Sequence, residues 1–179
     1  MPLPGKRWYH ATFSTHNSWL PGDPRGFRSR KHKLHSSGDH RNPPPIGEHA
    51  GLHAYSKSIS EQALVLDPGC RAIVGNAVLG NLKKHQRKCL VIAAGGMHVH
   101  TLVELSANSK EAKQAIGYAK LSASMSLNPQ IPGRVWARGC NVRPIRDEEH
   151  HRNTFGYIER HREEGAWVWT FRDAGAEGL

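Results

Sequence analysis

The strongest constraint on the fold is a pair of apolar runs separated by three residues. Leu90-Val91-Ile92-Ala93-Ala94 precedes Gly95-Gly96-Met97, and His98-Val99-His100-Thr101-Leu102-Val103-Glu104-Leu105 follows. Short runs of this kind, joined across a glycine pair, predict two antiparallel strands in a hairpin. Side chains on a strand alternate between faces, so Val99, Thr101, Val103 and Leu105 go to one side and His98, His100, Leu102 and Glu104 to the other. Helices can cover the first side. The second carries two imidazoles spaced to grip one metal ion. Two half-exposed strand histidines, or a fragment of a structural zinc site, would look the same, and the tripeptide alone leaves that open. Glu104 is read two ways: a carboxylate that orients an imidazole, or a surface acid.

About sixty residues downstream, residues 147–161 follow a proline and begin with Asp147-Glu148-Glu149. A capping aspartate and two acids in a first turn complement the helix dipole, and Phe155 with Ile158 gives an i, i+3 apolar contact, so a helix is expected. On it Tyr157 and His161 stand one turn apart on the same face, so a phenol and a third imidazole can enter one site together.

These segments resemble a known family, the single-tyrosine HUH transposases, in particular the stand-alone and REP-associated tyrosine transposases of bacteria. The resemblance rests on Trp8-Tyr9-His10-Ala11-Thr12-Phe13, on Trp19-Leu20-Pro21-Gly22-Asp23-Pro24-Arg25-Gly26, on the run from His98 to Leu105, and on the helix with Tyr157 and His161. It spans nearly the whole chain. It implies that His98, His100 and His161 hold a divalent cation and that Tyr157 attacks single-stranded DNA, leaving a 5′-phosphotyrosine and a free 3′ hydroxyl. It also implies a hairpin beside the cleaved strand. Many relatives have Asn where this chain has Met97 and Gln where it has His161. Mixed histidine and oxygen coordination fits Mg or Mn, while Zn, Co or Ni could occupy such a site. Two other readings differ in what they require. A domesticated single-stranded DNA hairpin-binding protein needs no cleavage, and a metal-dependent hydrolase using water tolerates phenylalanine at 157.

Composition fits a nucleic-acid partner. The 179 residues carry a formal net charge of +10, which favours a polyanion but predicts only salt-sensitive, nonspecific attraction. The length suits a single domain spanning residues 1–179. No apolar stretch approaches the roughly 18 to 20 residues that span a bilayer, and residues 1–7 form no secretory apolar region, so a cytoplasmic protein is expected. Cys70, Cys89 and Cys140 are odd in number and widely spaced, which predicts inert thiols rather than a disulfide framework or zinc finger.

Along the rest of the chain, residues 7–14 predict a first strand. From 17 to about 61 the sequence is rich in Gly, Pro, Ser, His, Arg and Lys with no sustained period, and is read as a long irregular loop. Within it Arg25, Arg28, Arg30, Lys31 and Lys33 are interspersed with Trp19 and Phe27. That mixture suits phosphate neutralisation and base stacking, so the loop is expected to contact DNA and to order on binding. His32, His35, His40, His49 and His53 share this polar segment and are read as solvated or DNA-facing. Asp67-Pro68 opens an amphipathic helix that ends at Lys83-Lys84-His85. A second helix covers 109–127, and a further strand is expected at 135–142. Residues 164–171 fit a packed strand, a dimer contact or a gate over the site, and a homodimer stays open. The order predicts an α+β fold: a ferredoxin-like antiparallel sheet with two helices on one face and an appended catalytic helix across the other.

Overall fold

The computed structural model describes residues 2–27, 34–38, 42 and 44–173. Its elements are β1 (Lys6–Ser14), α1 (Ala50–Ile59), α2 (Pro68–Lys84), β2 (Cys89–Ala94), β3 (His98–Ser106), α3 (Ser109–Leu127), β4 (Asn141–Pro144), α4 (Glu148–Arg160) and β5 (Trp167–Thr170). They fall into two compact units, one of residues 1–15 with 65–179, the other of residues 16–64. Among the described residues no helix is long and apolar enough to cross a membrane.

In the larger unit the strands form one sheet in the order β4-β1-β3-β2-β5. Every neighbouring pair is antiparallel. The first four strands with α2 and α3 make the ferredoxin-like pattern expected from the sequence, and α4 and β5 are appended to it. Register sorts the side chains. Val99, Thr101 and Val103 of β3 lie opposite Phe13, Ala11 and Tyr9 of β1, and this buried face packs beneath α2 and α3. His100, Leu102 and Glu104 lie opposite Thr12, His10 and Trp8 on the face that α4 crosses.

Local chemistry explains the helices. Asp67 accepts from the Cys70 backbone N–H at 2.8 Å to cap α2, with Pro68 in the first turn, where its missing N–H costs nothing. Asn108 caps α3, whose buried stripe is Ala112, Ala115, Ile116, Ala119, Ala123 and Leu127. In α2, Gly75 sits where any Cβ would overlap the Trp167 ring, so only glycine lets β5 close against this helix. On the opposite face, Asp147 accepts from the His150 N–H at 2.7 Å to start α4. Ile158 then seats that helix against Val91, Ala93 and Leu102.

Two expectations need correction. The strand expected at 135–142 begins six residues later, because Gly139 takes positive φ and interrupts extended backbone. Val135 and Trp136 are still buried, and Trp136 makes an isolated bridge to Thr15 while its ring meets Phe13 edge-on at 4.9 Å. The loop read at 17–61 contains α1, which the sequence hid because His49 provides no side-chain cap and the first turn has no acid. Of the three roles open to residues 164–171, the packed strand is the one present: it is β5, paired with β2 at the sheet edge.

The smaller unit closes on itself. Asn17 donates to the Glu61 carbonyl at 3.1 Å, and the Leu64 N–H to the His16 carbonyl at 3.1 Å. Gly22, at φ +82°, lies so near the His53 and His49 backbone that a side chain there would overlap it.

Candidate metal centre and tyrosine site

The β3 alternation and the α4 turn meet on one sheet face. His98 and His100 point from β3 toward α4, which carries Tyr157. His161 follows the last helical residue but keeps helical dihedrals (φ −60°, ψ −13°), so it stays one turn from Tyr157. The His98 and His161 rings are centred 4.7 and 5.6 Å from those of His100 and His98 respectively, and His161 stacks on His100 at 4.7 Å with 28° between planes. Tyr157 meets His161 edge-on at 4.9 Å and His100 at 5.5 Å. One ligand nitrogen from each of His98, His100 and His161 lies within 4.8 Å of the others.

Three observations test whether this set suits a cation. His161 Nε2 is buried without a hydrogen-bond partner, while its Nδ1 lies 3.0 Å from Glu164 Oε2. A carboxylate can only accept, so Nδ1 carries the proton and Nε2 keeps a lone pair. Burial, then the charges of His98, His10 and His161, push His100 down to about 2, which keeps it neutral and able to coordinate. A cavity of about 60 Å³, lined by His98, His100, His161, Glu164, Ala93 and Ala166 among others, adjoins the rings. That volume admits an ion with coordinating oxygens. The donor set therefore fits a divalent metal. A larger cleft of about 500 Å³ beside α2 and β5 includes Lys83, Arg162, Trp167 and Trp169, but among the described residues no cluster of metal-ligating groups lies there.

Tyr157 is 42 % exposed. Burial and then the Glu164 charge push its phenol above the ordinary value, so it is protonated at neutral pH unless positive charge is brought near. The other tyrosines have no such surroundings. Tyr9 is buried and donates to the Ser106 carbonyl at 3.0 Å. Tyr118 accepts from Gln114 at 3.1 Å, and Tyr55 is exposed on α1.

Two neighbours escaped the sequence reading. Glu164 stands three residues past His161, one further helical turn, a spacing that could have revealed it. His10 on β1 places Nε2 3.0 Å from His100 Nδ1, stacked at 27° with centroids 5.2 Å apart. Only the β1–β3 register makes them neighbours. Glu104 takes neither of its two expected places. It is fully buried, accepts from the Leu3 N–H at 2.8 Å and lies 3.9 Å from Lys6 Nζ, so it anchors the N-terminal residues.

Of the residues expected to contact DNA, Trp19, Arg25 and Phe27 belong to the smaller unit, while Arg28, Arg30, Lys31 and Lys33 lie outside the described residues. Phe27 is 6 % exposed and packs edge-on against His49 at 5.0 Å, so it serves that unit's interior and offers no open face to a base. Arg25 holds Asp23 through Nε at 2.8 Å and Nη2 at 2.6 Å. Burial alone would raise the Asp23 carboxyl, but hydrogen bonds and charge from Arg25 hold it below the ordinary value. The same guanidinium lies 4.2 Å over the Trp19 ring, which is 48 % exposed. Cys70, Cys89 and Cys140 are free thiols, each pushed upward in pKa by burial.

No protein-family model and no curated protein matches the chain. A solved structure does, a REP-associated tyrosine transposase bound to a REP hairpin, with a TM-score of 0.52 and 12 % identity over 100 % of this chain and 84 % of that one. The fold is similar to that of a tyrosine transposase. At this identity the likeness concerns the arrangement of the chain.

Proposed function

We propose that this protein is a tyrosine transposase that cleaves and rejoins single-stranded DNA beside hairpins. The observation that carries the reading is the position of Tyr157, beside a cluster of three imidazoles suited to a divalent metal. The fold shared with a hairpin-bound tyrosine transposase supports it, as does the net charge of +10.

His98, His100 and His161 would hold the cation, with Mg or Mn as the assignment. When bound, it would supply Lewis-acid polarisation of the scissile phosphate and positive charge beside the phenol. Tyr157 Oη attacks phosphorus in line, forming the tyrosine–phosphorus bond as the bond to the 3′ oxygen breaks. The proton lost by the phenol is balanced by the one gained at the departing 3′ hydroxyl. The 5′-phosphotyrosine conserves the bond, so a second 3′ hydroxyl reverses the step without ATP. The exposed Trp19 face offers a base a stacking surface, and Arg28, Arg30, Lys31 and Lys33 are assigned to phosphates.

The test is incubation with Mn²⁺ and 3′-end-labelled single-stranded DNA carrying hairpins from the flanks of the protein's own gene, run on a denaturing protein gel. The expected result is a labelled protein band that Tyr157→Phe abolishes. Binding without any covalent band would identify a hairpin-binding protein. Cleavage that survives the substitution would identify a hydrolase using water.

A further inference from the structure

We infer that His10 is a positioning residue that accepts a hydrogen bond from His100 Nδ1–H, so that His100 presents Nε2 as the ligand nitrogen. The inference rests on the metal reading of the three-histidine cluster. A neutral imidazole has one N–H and one lone pair, and a ligand nitrogen must be the one with the lone pair. His100 Nδ1 is already engaged, 3.0 Å from His10 Nε2. Nε2 is therefore the nitrogen left to hold a cation.

The hydrogen bond between the two rings can run in either direction. If His10 donates, His100 Nδ1 accepts, the His100 proton sits on Nε2, and no lone pair faces the cluster. If His100 Nδ1–H donates, His10 Nε2 accepts and His100 Nε2 is free to coordinate. Only the second direction fits a metal centre, and it requires His10 to carry its own proton on Nδ1. Glu164 does the same for His161, though a carboxylate has no tautomer to choose. Two of the three imidazoles thus have a dedicated acceptor on Nδ1.

The fold builds this contact across strands. β1 and β3 pair with Thr12 opposite His100 and His10 opposite Leu102, so His10 and His100 are diagonal neighbours on one face. The His10 ring also meets Tyr157 edge-on at 5.9 Å, so it touches both the phenol and His100.

Two measurements on the full chain test the inference. Long-range ¹H–¹⁵N NMR of the metal-free protein reads the tautomer of each histidine, and titration with Co²⁺ followed by its visible absorption reads affinity. The expected result is an Nδ1–H tautomer at His100 in the wild type. His10→Ala should return His100 to the Nε2–H form and weaken Co²⁺ binding about 10- to 100-fold. His10→Gln, whose carbonyl can accept the same hydrogen bond, should restore both readouts to near wild type. An Nε2–H tautomer in the wild type overturns the inference without any variant, as does unchanged Co²⁺ affinity in His10→Ala. A wild type that binds no Co²⁺ brings down the metal reading and this inference with it.

Discussion

His161 takes its orientation from Glu164 and shares that neighbour with Tyr157. Replacing Glu164 by Ala leaves the His161 Nδ1–H unpaired, so Mn²⁺ affinity measured by calorimetry should fall about 10- to 100-fold. Glu164→Gln keeps an acceptor and removes the charge. A negative charge disfavours phenolate, so its removal should lower the Tyr157 pKa, read from ¹³C chemical shifts across a pH titration. The direction is decisive: a pKa that rises in Glu164→Gln contradicts the electrostatic account. Four members of the cluster were legible because their spacings are local. His98 and His100 share a strand face at i, i+2, and Tyr157 and His161 share a helix face at i, i+4. His10 was not legible, since 90 residues separate it from its partner. Glu104 was misjudged because alternation gives the face and says nothing of position along the strand. It sits at the end near Lys6, away from the histidines.

α4 holds the tyrosine, and one side chain does most to seat it. Ile158 is fully buried against Val91, Ala93 and Leu102, with Phe155 and Val168 packed at the margin. Ile158→Ala removes buried volume that its neighbours refill only partly, so it should destabilise folding by about 2–5 kcal/mol. Urea unfolding checks this, and a loss under about 1 kcal/mol would mean that α4 contributes little to the common core. The strength of local signals decided which elements were read correctly. α2, α3 and α4 have side-chain caps at Asp67, Asn108 and Asp147, and each appeared where the sequence placed it. α1 has no such cap and buries only Ser56, so nothing in its composition separated it from its surroundings. The run at 135–142 looked extended from Val135 and Trp136. Those residues are buried as core side chains ahead of β4.

For the whole molecule, charge and topology act at different ranges. With a net charge of +10, single-stranded DNA binding should weaken linearly on a plot of log affinity against log salt. The expected slope is about −0.7 per phosphate contacted. Fluorescence anisotropy with a labelled oligonucleotide at several salt concentrations checks it, and a flat line would rule out phosphate contacts as the source of affinity. Composition made this property readable, because charge sums over residues wherever they lie. The capped helices and the β2–β3 hairpin, with their faces, were readable too, because alternation, the helical turn and capping act within a few residues. What only the tertiary structure decided is which distant residues meet: β1 beside β3, so that His10 reaches His100; β5 beside β2, so that Gly75 accommodates Trp167; and α4 across the sheet, so that Tyr157 stands by the imidazoles. Register and packing set those meetings, and they depend on how all the elements fill one core at once, which no local window of sequence contains.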